Sequence, residues 1–173
     1  MLIKDSDWIK CVEFHGHECP GLAIGYKAAL LARELLKAQF SADEEIVCVS
    51  ENDACGVDAI QVLLGCSAGK GNLMIRLRGK QAFNFFCRES GNAIRLILKP
   101  LPTNPSASKS ERALYILNAK ADTLFEVKKP SFELPGRARI FTSLPCSICG
   151  EITAEPFLQT VDGKLVCTDC AAR

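Results

Sequence analysis

The sequence carries little net charge, few histidines and no long apolar run. A formal net charge of +1 over 173 residues argues against a protein built to coat nucleic acid or an anionic membrane. No stretch reaches the roughly 20 consecutive apolar residues that a membrane-spanning helix needs. The opening residues, MLIKDSDWIK, lack the apolar core of a signal peptide. We therefore predict a cytoplasmic protein that binds neither membrane nor nucleic acid.

Cysteine, in contrast, is abundant. Ten cysteines occur in the chain, and four of them form two C-x-x-C pairs close to its end. In the absence of a secretion signal this pattern favours metal binding over disulfide bonds, because reducing compartments keep thiols free. Hydrophobic residues make up 48% of the chain, which is enough to bury a core.

The spacing of apolar residues predicts an α+β fold, in which helices pack against a mostly antiparallel sheet. We expect a short helix in DSDWIKCVEFHGH with Asp5 or Ser6 as its cap, and a long buried helix over residues 22–40. A third helix, VDAIQVLLG, is predicted to close at Gly65. Strands are predicted in EEIVCVSE, LMIRLRG, AFNFFCR and AIRLILKP. SASKSERALYILNAK is predicted to be a further helix, after a segment punctuated by Pro100, Pro102 and Pro105.

A change in composition predicts three regions in the chain. Residues 1–128 are interpreted as an α+β core domain and residues 146–173 as a separate small module. The intervening segment, residues 129–145, contains prolines and basic residues with little periodicity, which is typical of a linker. The basic side chains of this region are interpreted as a solvated face; they are Lys128, Lys129, Arg137 and Arg139.

The C-terminal module contains the most specific motif. CSICG and CTDC flank a hairpin pattern that turns at Asp162-Gly163. Four thiolates with this spacing suit a closed tetrahedral zinc site, with an iron–sulfur cluster as the alternative. The arrangement resembles a treble-clef zinc finger, for which zinc would supply folding energy and no open catalytic position. The predicted ligands are Cys146, Cys149, Cys167 and Cys170.

The acidic residues of this module outnumber its two basic residues, Lys164 and Arg173. The finger is therefore predicted to serve stability or partner docking, because phosphate binding requires a basic surface.

Both histidines of the chain lie beside a cysteine in FHGHECPG. If this segment is extended, His15, His17 and Cys19 face the same side and can converge on zinc, iron or copper. The helix that follows Pro20 would direct its positive end at the thiol and favour a thiolate. The competing interpretation is a turn with one core histidine, one exposed histidine and a buried cysteine.

A second cluster, ENDACGVDAIQ, lies at a predicted strand-to-helix junction, a common place for binding groups. Cys55 and Asp58 are three residues apart and share a helix face if the helix begins early. Cys55 is a candidate metal ligand or, equally, a small buried core residue. Asp53 is interpreted as a binding group or a simple helix cap.

A third cluster, GCSAGKGNL, is a glycine-rich loop. It departs from a Walker A motif because three residues, not four, separate Gly65 from Gly69, and Gly71 follows the lysine. This mismatch argues against nucleotide hydrolysis. Cys66 and Lys70 are retained as candidates for binding an anionic cofactor, with a flexible connection as the alternative interpretation.

These motifs resemble the E-subunit family of formylmethanofuran dehydrogenase over roughly the first 120 residues. The resemblance rests on three segments, in this order: FHGHECPGLAIGYKAA, ENDACGVDAIQVLLGCSAGKGNL and GKQAFNFF. The resemblance implies an α+β core with an auxiliary treble-clef finger, a homodimer, and association with the molybdenum or tungsten enzyme that fixes carbon dioxide onto methanofuran. It also implies a core site, made of His15, His17, Cys19, Cys55 and Asp58, with Cys66 and Lys70 nearby.

Two functions remain open at this point. The leading hypothesis is a metal-binding accessory protein, whose core site binds or hands over a transition metal and whose finger docks a partner such as a redox enzyme. The alternative is a metal-dependent enzyme that acts on a small anionic substrate. Its candidate catalytic groups are Cys19, Asp58 as the base, and Lys70 as the anion-binding group.

Overall fold

The computed structural model describes residues 2–102 and 106–172. Pro105 and Arg173, which enter the sequence-based interpretation, lie outside the described residues. The chain divides into two compact units, Met1–Arg137 and Ala138–Arg173. The segment predicted to be a linker is therefore shared, since residues 129–137 belong to the first unit and residues 138–145 to the second.

The first helix, α1 (Ser6–His15), begins at the predicted cap. The Asp5 carboxylate accepts hydrogen bonds from the backbone N–H groups of Asp7 and Trp8 and so satisfies two donors of the first turn. The helix ends at Gly16, whose φ of +91° belongs to the left-handed region that glycine adopts without strain.

The second helix, α2 (Pro20–Leu36), forms the centre of the first unit. Pro20 stands at the first helical position, where its missing N–H is not needed. The helix stops at Leu36, before the predicted end at Phe40, because Lys37 adopts a left-handed conformation with φ of +52°. Most of its residues are buried, as their apolar character predicted.

The sheet of the first unit has five strands in the order β2-β1-β3-β4-β5. Their bounds are β1 (Ile46–Ser50), β2 (Leu73–Ile75), β3 (Ala82–Cys87), β4 (Ala93–Leu98) and β5 (Phe125–Lys128). Three of the four pairings are antiparallel, which confirms the predicted mixed α+β class. β2 pairs with β1 in parallel, because α3 (Gly56–Leu64) provides the crossover between them.

The two faces of the sheet pack against different parts of the chain. On one face, Cys48, Phe83 and Phe85 belong to the main core together with the residues of α2 and α3. On the other face, a smaller cluster forms in which Phe132 packs against the buried residues Val47, Val49 and Phe86. Strand alternation explains this division, since successive side chains point to opposite faces.

The remaining helices of the first unit precede β5. α4 (Lys109–Asn118) begins with a capping box in which Ser108 and Glu111 exchange side-chain to backbone hydrogen bonds. The short α5 (Ala121–Leu124) leads directly into β5. Within the described residues, no helix has both the length and the apolar character that crossing a membrane requires.

Helices α2 and α3 approach each other at two glycines. A Cβ atom added to Gly25 would overlap the backbone carbonyl of Gly56, and one added to Gly56 would lie 3.1 Å from the Cα of Gly25. Only glycine permits this backbone approach. It brings the beginning of α3 close to the first turns of α2, the region that carries the cysteine of the first motif.

The second unit consists of two small antiparallel pairs and one helical turn. β6 (Ser143–Pro145) pairs with β7 (Ile152–Ala154), and β8 (Leu158–Val161) pairs with β9 (Lys164–Cys167). A 3₁₀ turn (Glu155–Phe157) precedes β8, and α6 (Thr168–Ala171) follows β9. Asp162 and Gly163 both have positive φ at the hairpin turn, which confirms the Asp-Gly prediction.

Candidate metal centres

The first candidate centre lies between the end of α1 and the start of α2. The ligand atoms of His15, His17 and Cys19 all lie within 4.8 Å of one another. The alternate spacing of these residues had suggested an extended segment. That expectation is wrong. His15 is the last residue of α1, Gly16 reverses the chain, and Cys19 caps α2, so a helix–turn–helix brings the three side chains together.

His15 is oriented by a carboxylate. Its Nδ1 lies 2.7 Å from Asp58 Oδ2, and Asp58 Oδ1 accepts a hydrogen bond of 3.2 Å from the Gln61 amide. A carboxylate can only accept, so this contact assigns the imidazole proton to Nδ1. The other ring nitrogen, Nε2, faces Cys19 Sγ at 3.7 Å. This carboxylate–histidine arrangement is the one that commonly orients histidine ligands of metal ions.

Cys19 lies at the N-terminus of α2 and is 8% exposed. Its Sγ accepts a hydrogen bond of 3.3 Å from the backbone N–H of Leu22. His17 is exposed, and its ring centroid lies 4.5 Å from that of His15 with an interplanar angle of 35°. The cluster is therefore buried on the sulfur side and open to solvent on the His17 side.

Cys55 lies next to this cluster, at the residue that precedes α3. A Cβ atom on Gly21 would lie 3.5 Å from Cys55 Sγ and 3.9 Å from Cys19 Sγ, so both sulfurs face the same glycine. Burial raises the pKa of the Cys55 thiol, and its hydrogen bond with Cys19 acts in the same direction. The structure thus brings Cys55 and Asp58 to the histidines, although Cys55 stands outside the group of three.

Cys66 and Lys70 lie at the other end of β1. The buried Cys66 donates a hydrogen bond to the carbonyl of Ile46, the first residue of β1, and burial raises its pKa to about 12. Lys70 donates to the carbonyl of Ser41 at 2.8 Å. Cys55, in contrast, follows the last residue of β1. Neither Cys66 nor Lys70 belongs to the cluster of His15, His17 and Cys19, because a strand of about 13 Å separates the two ends.

The motif analysis missed Glu18, which supports the turn between the two helices. Its carboxylate accepts hydrogen bonds from the indole N–H of Trp8 at 3.1 Å and from the backbone N–H of Leu2 at 2.6 Å. In an extended segment Glu18 would point away from the candidate ligands. Nothing else in the sequence indicated a role for its carboxylate. Its contacts tie the turn to α1 and to the start of the chain.

The second candidate centre lies in the C-terminal unit. The sulfur atoms of its four cysteines lie within 4.8 Å of one another, as the ligands of one metal ion require. Backbone N–H groups of Cys149, Cys167 and Ile148 donate to Cys146 Sγ and lower the pKa of that thiol to about 6. Gly150, with φ of +77°, lets the chain turn after the first pair. Four sulfur donors at this spacing can hold a metal such as zinc.

Comparison with known proteins follows the same division of the chain. Residues 14–131 match the family described as "FmdE, Molybdenum formylmethanofuran dehydrogenase operon". The chain belongs to the FmdE family. The matched range contains the whole His/Cys cluster of the core and ends before the four cysteines of the second unit. The family resemblance of the sequence motifs is thereby confirmed.

Two proteins illustrate how this FmdE-family chain relates to others. A crystal structure of an FmdE-like protein of the tungsten formylmethanofuran dehydrogenase type, from Syntrophus aciditrophicus, matches with a TM-score of 0.71 at 24% identity. That match covers 94% of this chain and 89% of the other, and it concerns the fold. An Archaeoglobus fulgidus protein named "Probable S-adenosyl-L-methionine-binding protein" is 26% identical over 195 aligned positions. These positions cover 94% of this chain and 52% of the relative, so the chain spans about half of that protein's length.

Proposed function

We propose that this FmdE-family chain is a metal-binding accessory protein. Its core cluster holds a transition metal ion, and its C-terminal unit holds a structural zinc ion. The observation that carries the proposal is the convergence of His15, His17 and Cys19 within 4.8 Å, with His15 already oriented by Asp58.

The donor chemistry of the core cluster fits a borderline or soft divalent ion. Imidazole nitrogen and thiolate sulfur together suit zinc, iron or copper, whereas magnesium and calcium prefer oxygen. His15, His17 and Cys19 supply three ligands in this proposal. Cys55 is the candidate for a fourth, because its sulfur lies on the same side of Gly21 as that of Cys19.

The surroundings of the cluster favour an accessory role over catalysis. Asp58 uses one oxygen on His15 and the other on Gln61, so it serves as an orienting group instead of a general base. Lys70 is bound to backbone carbonyls at the opposite end of β1 and cannot anchor a substrate there. The exposed side chain of His17 makes the cluster accessible, which suits exchange of an ion with a partner.

The zinc unit is proposed to dock that partner. Several of its large apolar side chains are exposed, among them Ile148, Ile152 and Phe157 at 63%, 71% and 59%. Apolar groups at such exposure are typical of a contact surface when they lie on one small module. We propose a redox-enzyme complex as the partner, in line with the formylmethanofuran dehydrogenase operon for which the family is named, and a cytoplasmic homodimer as the form of the protein itself.

The test is the metal content per chain of untagged full-length protein, measured by elemental mass spectrometry. We expect two ions in the wild type, one in His17→Ala/Cys19→Ser and one in Cys149→Ser/Cys170→Ser. Cys66→Ala is the matched control, since it removes a thiol that belongs to neither group, and it should retain two ions. Retention of two ions by the His17→Ala/Cys19→Ser variant would refute the core metal site.

A further inference from the structure

A concave site lies on the sheet face opposite to α2 and α3. It is a cavity of about 440 Å³, a size typical of small-molecule sites, and its floor includes Val49 and Phe132. Its wall consists mainly of basic side chains from the middle of β4, the end of β5 and the segments that follow β2 and β5. These are Arg76, Arg78, Lys80, Arg95, Lys128 and Lys129.

The charge of this cavity is concentrated. Six cations face a single carboxylate, that of Glu51, so the lining carries a net charge of five positive, whereas the whole chain carries +1. The rest of the chain is therefore net negative. Concave surfaces lined with one sign of charge focus the electrostatic potential and attract ligands of the opposite sign.

In the part of the chain that the structure describes, four of these cations form no close ion pair, although the charge of Lys80 contributes to lowering the pKa of Glu51. Arg95 pairs with Glu51 and Lys128 with Glu126, whereas Arg76, Arg78, Lys80 and Lys129 form no ion pair within residues 2–102 and 106–172. Like charges gathered in this way repel one another. Their shared orientation toward one cavity is best explained by an anion that neutralises several of them together.

The cations are held in place by the backbone and by their neighbours. The segment that carries Arg76 and Arg78 is attached to the end of β1, since their N–H groups donate to the carbonyls of Ser50 and Glu51, both at 2.9 Å. The guanidinium of Arg76 lies 4.4 Å from the centroid of the Phe132 ring. Such stacking fixes the plane of an arginine and leaves its N–H groups available to an oxyanion.

Glu51 and the buried Asn84 form a polar layer at the base of the cavity. Glu51 receives two hydrogen bonds from Arg95, at 2.6 and 2.8 Å, and a third from the amide of Asn84. Asn84 is fully buried between Val49 and Arg95 in the register of the sheet. Its Oδ1 accepts no hydrogen bond from the described residues, although buried acceptors are nearly always satisfied. Asn84 is not a lining residue, so this acceptor lies beneath the cavity and the ligand contacts would come from the cations above it.

We propose that this cavity binds a small anion that carries two or more phosphate or carboxylate groups. A single anionic group would leave most of the four unpaired cations without a partner. Nucleic acid fits less well, because single strands need open aromatic faces for stacking, and the Phe132 ring is in contact with both Arg76 and Phe86. A second copy of the chain on this face would bring like charges together. The site does not depend on the metal centres.

The probes are inorganic pyrophosphate, citrate and orthophosphate, titrated into full-length protein by isothermal titration calorimetry. We expect saturable binding of at least one of the first two, at least tenfold tighter than orthophosphate and weaker at higher salt. Tighter binding of pyrophosphate than of citrate would identify phosphate groups as the preferred ligand groups. Tighter binding of citrate would identify carboxylates. If neither probe binds at millimolar concentration, or if a dT12 oligonucleotide binds and they do not, the proposal is overturned.

Two variants locate the binding. Arg78→Gln/Lys80→Gln removes two exposed, unpaired charges and should weaken the tighter probe at least tenfold. Lys109→Gln/Arg112→Gln, an equal loss of charge on the exposed start of α4, should weaken it less than twofold. Glu51→Gln removes the only carboxylate of the lining and should tighten binding severalfold, a gain that misfolding cannot produce. Equal loss in the two double variants, or weaker binding by Glu51→Gln, contradicts the assignment.

Discussion

The approach of α2 to α3 makes Gly25→Ala a decisive substitution. In an ordinary helix, replacing glycine by alanine stabilises by about 1 kcal/mol, because alanine has the higher helix propensity. Here the added Cβ overlaps the carbonyl of Gly56, a backbone group that cannot rotate away. Overpacking of this kind costs about 3 kcal/mol. The net effect expected is a destabilisation of about 2 kcal/mol, with the opposite sign to the helix-propensity effect.

The assay is urea unfolding followed by tryptophan fluorescence. Trp8 is the single tryptophan of the chain, is fully buried and packs edge-to-face on Tyr26 in the first unit, so its signal reports the core and not the zinc unit. A loss of about 2 kcal/mol lowers the urea midpoint by about 1 M, since the free energy of unfolding of a unit of this size falls by about 2 kcal/mol per molar urea. Chelator-treated protein is used throughout, because a bound ion would itself shift the midpoint.

Two further glycines make the comparison quantitative. Gly56→Ala places its Cβ 3.0 Å from Gly21 O, so a shift of a few tenths of an ångström relieves it, and we expect a smaller loss of about 1 kcal/mol. Gly69→Ala meets nothing within 4 Å and should change stability by less than about 0.5 kcal/mol. The reasoning is refuted if Gly25→Ala raises the urea midpoint, or if the three variants are indistinguishable.

Three other substitutions test separate contacts. Asp58→Asn should weaken metal binding at the core cluster by about 10- to 100-fold in chelator competition, without effect on the C-terminal ion, because it removes the acceptor that orients His15. Glu51→Gln should destabilise at pH 7 by about 2 kcal/mol. Hydrogen bonds from Arg95 lower the pKa of Glu51 in the folded protein, so the stability difference between wild type and Glu51→Gln should shrink as the pH falls below the ordinary pKa of 4.5. A difference that stays constant with pH in urea titrations would contradict this prediction. Asn72→Ala should lower the free energy of unfolding by about 3 kcal/mol in the same assay, because the buried Asn72 amide donates hydrogen bonds to the carbonyls of Asp43, Ile46 and Gly65. A loss below about 1 kcal/mol would show that these segments do not depend on the Asn72 amide.

Local chemistry made parts of the fold predictable. The cap at Asp5, the stop of α3 at Gly65 and the hairpin turn at Asp162-Gly163 each depend on a side chain or a positive φ within a few residues. The four cysteines of the C-terminal unit belong to the same class, because the spacing of each pair already brings two sulfurs together. Such features require no knowledge of distant contacts.

Features that depend on distant contacts were not predictable. Spacing alone suggested that His15 and His17 share an extended segment, but α1 runs through His15 because its buried face packs against α2 and α3. The sequence after β5 predicted a linker, yet Phe132 packs on the sheet and contributes to the floor of the basic cavity. In both cases a tertiary contact overrides the local pattern, and a single sequence does not reveal which partner supplies it.

Apart from His17, which lies in the turn between α1 and α2, the groups of the core site lie at helix ends, and this explains how they depend on one another. His15 closes α1, Cys19 opens α2, and Cys55 and Asp58 flank the start of α3. Helix ends leave backbone groups unsatisfied, so side chains placed there serve both as caps and as ligands. Cys19 does both, since its sulfur accepts the Leu22 amide and faces His15. An ion held by His15 and Cys19 would join the end of α1 to the start of α2, and the contact of Asp58 with His15 would extend this link to α3. Its binding energy would therefore stabilise the packing of these helices.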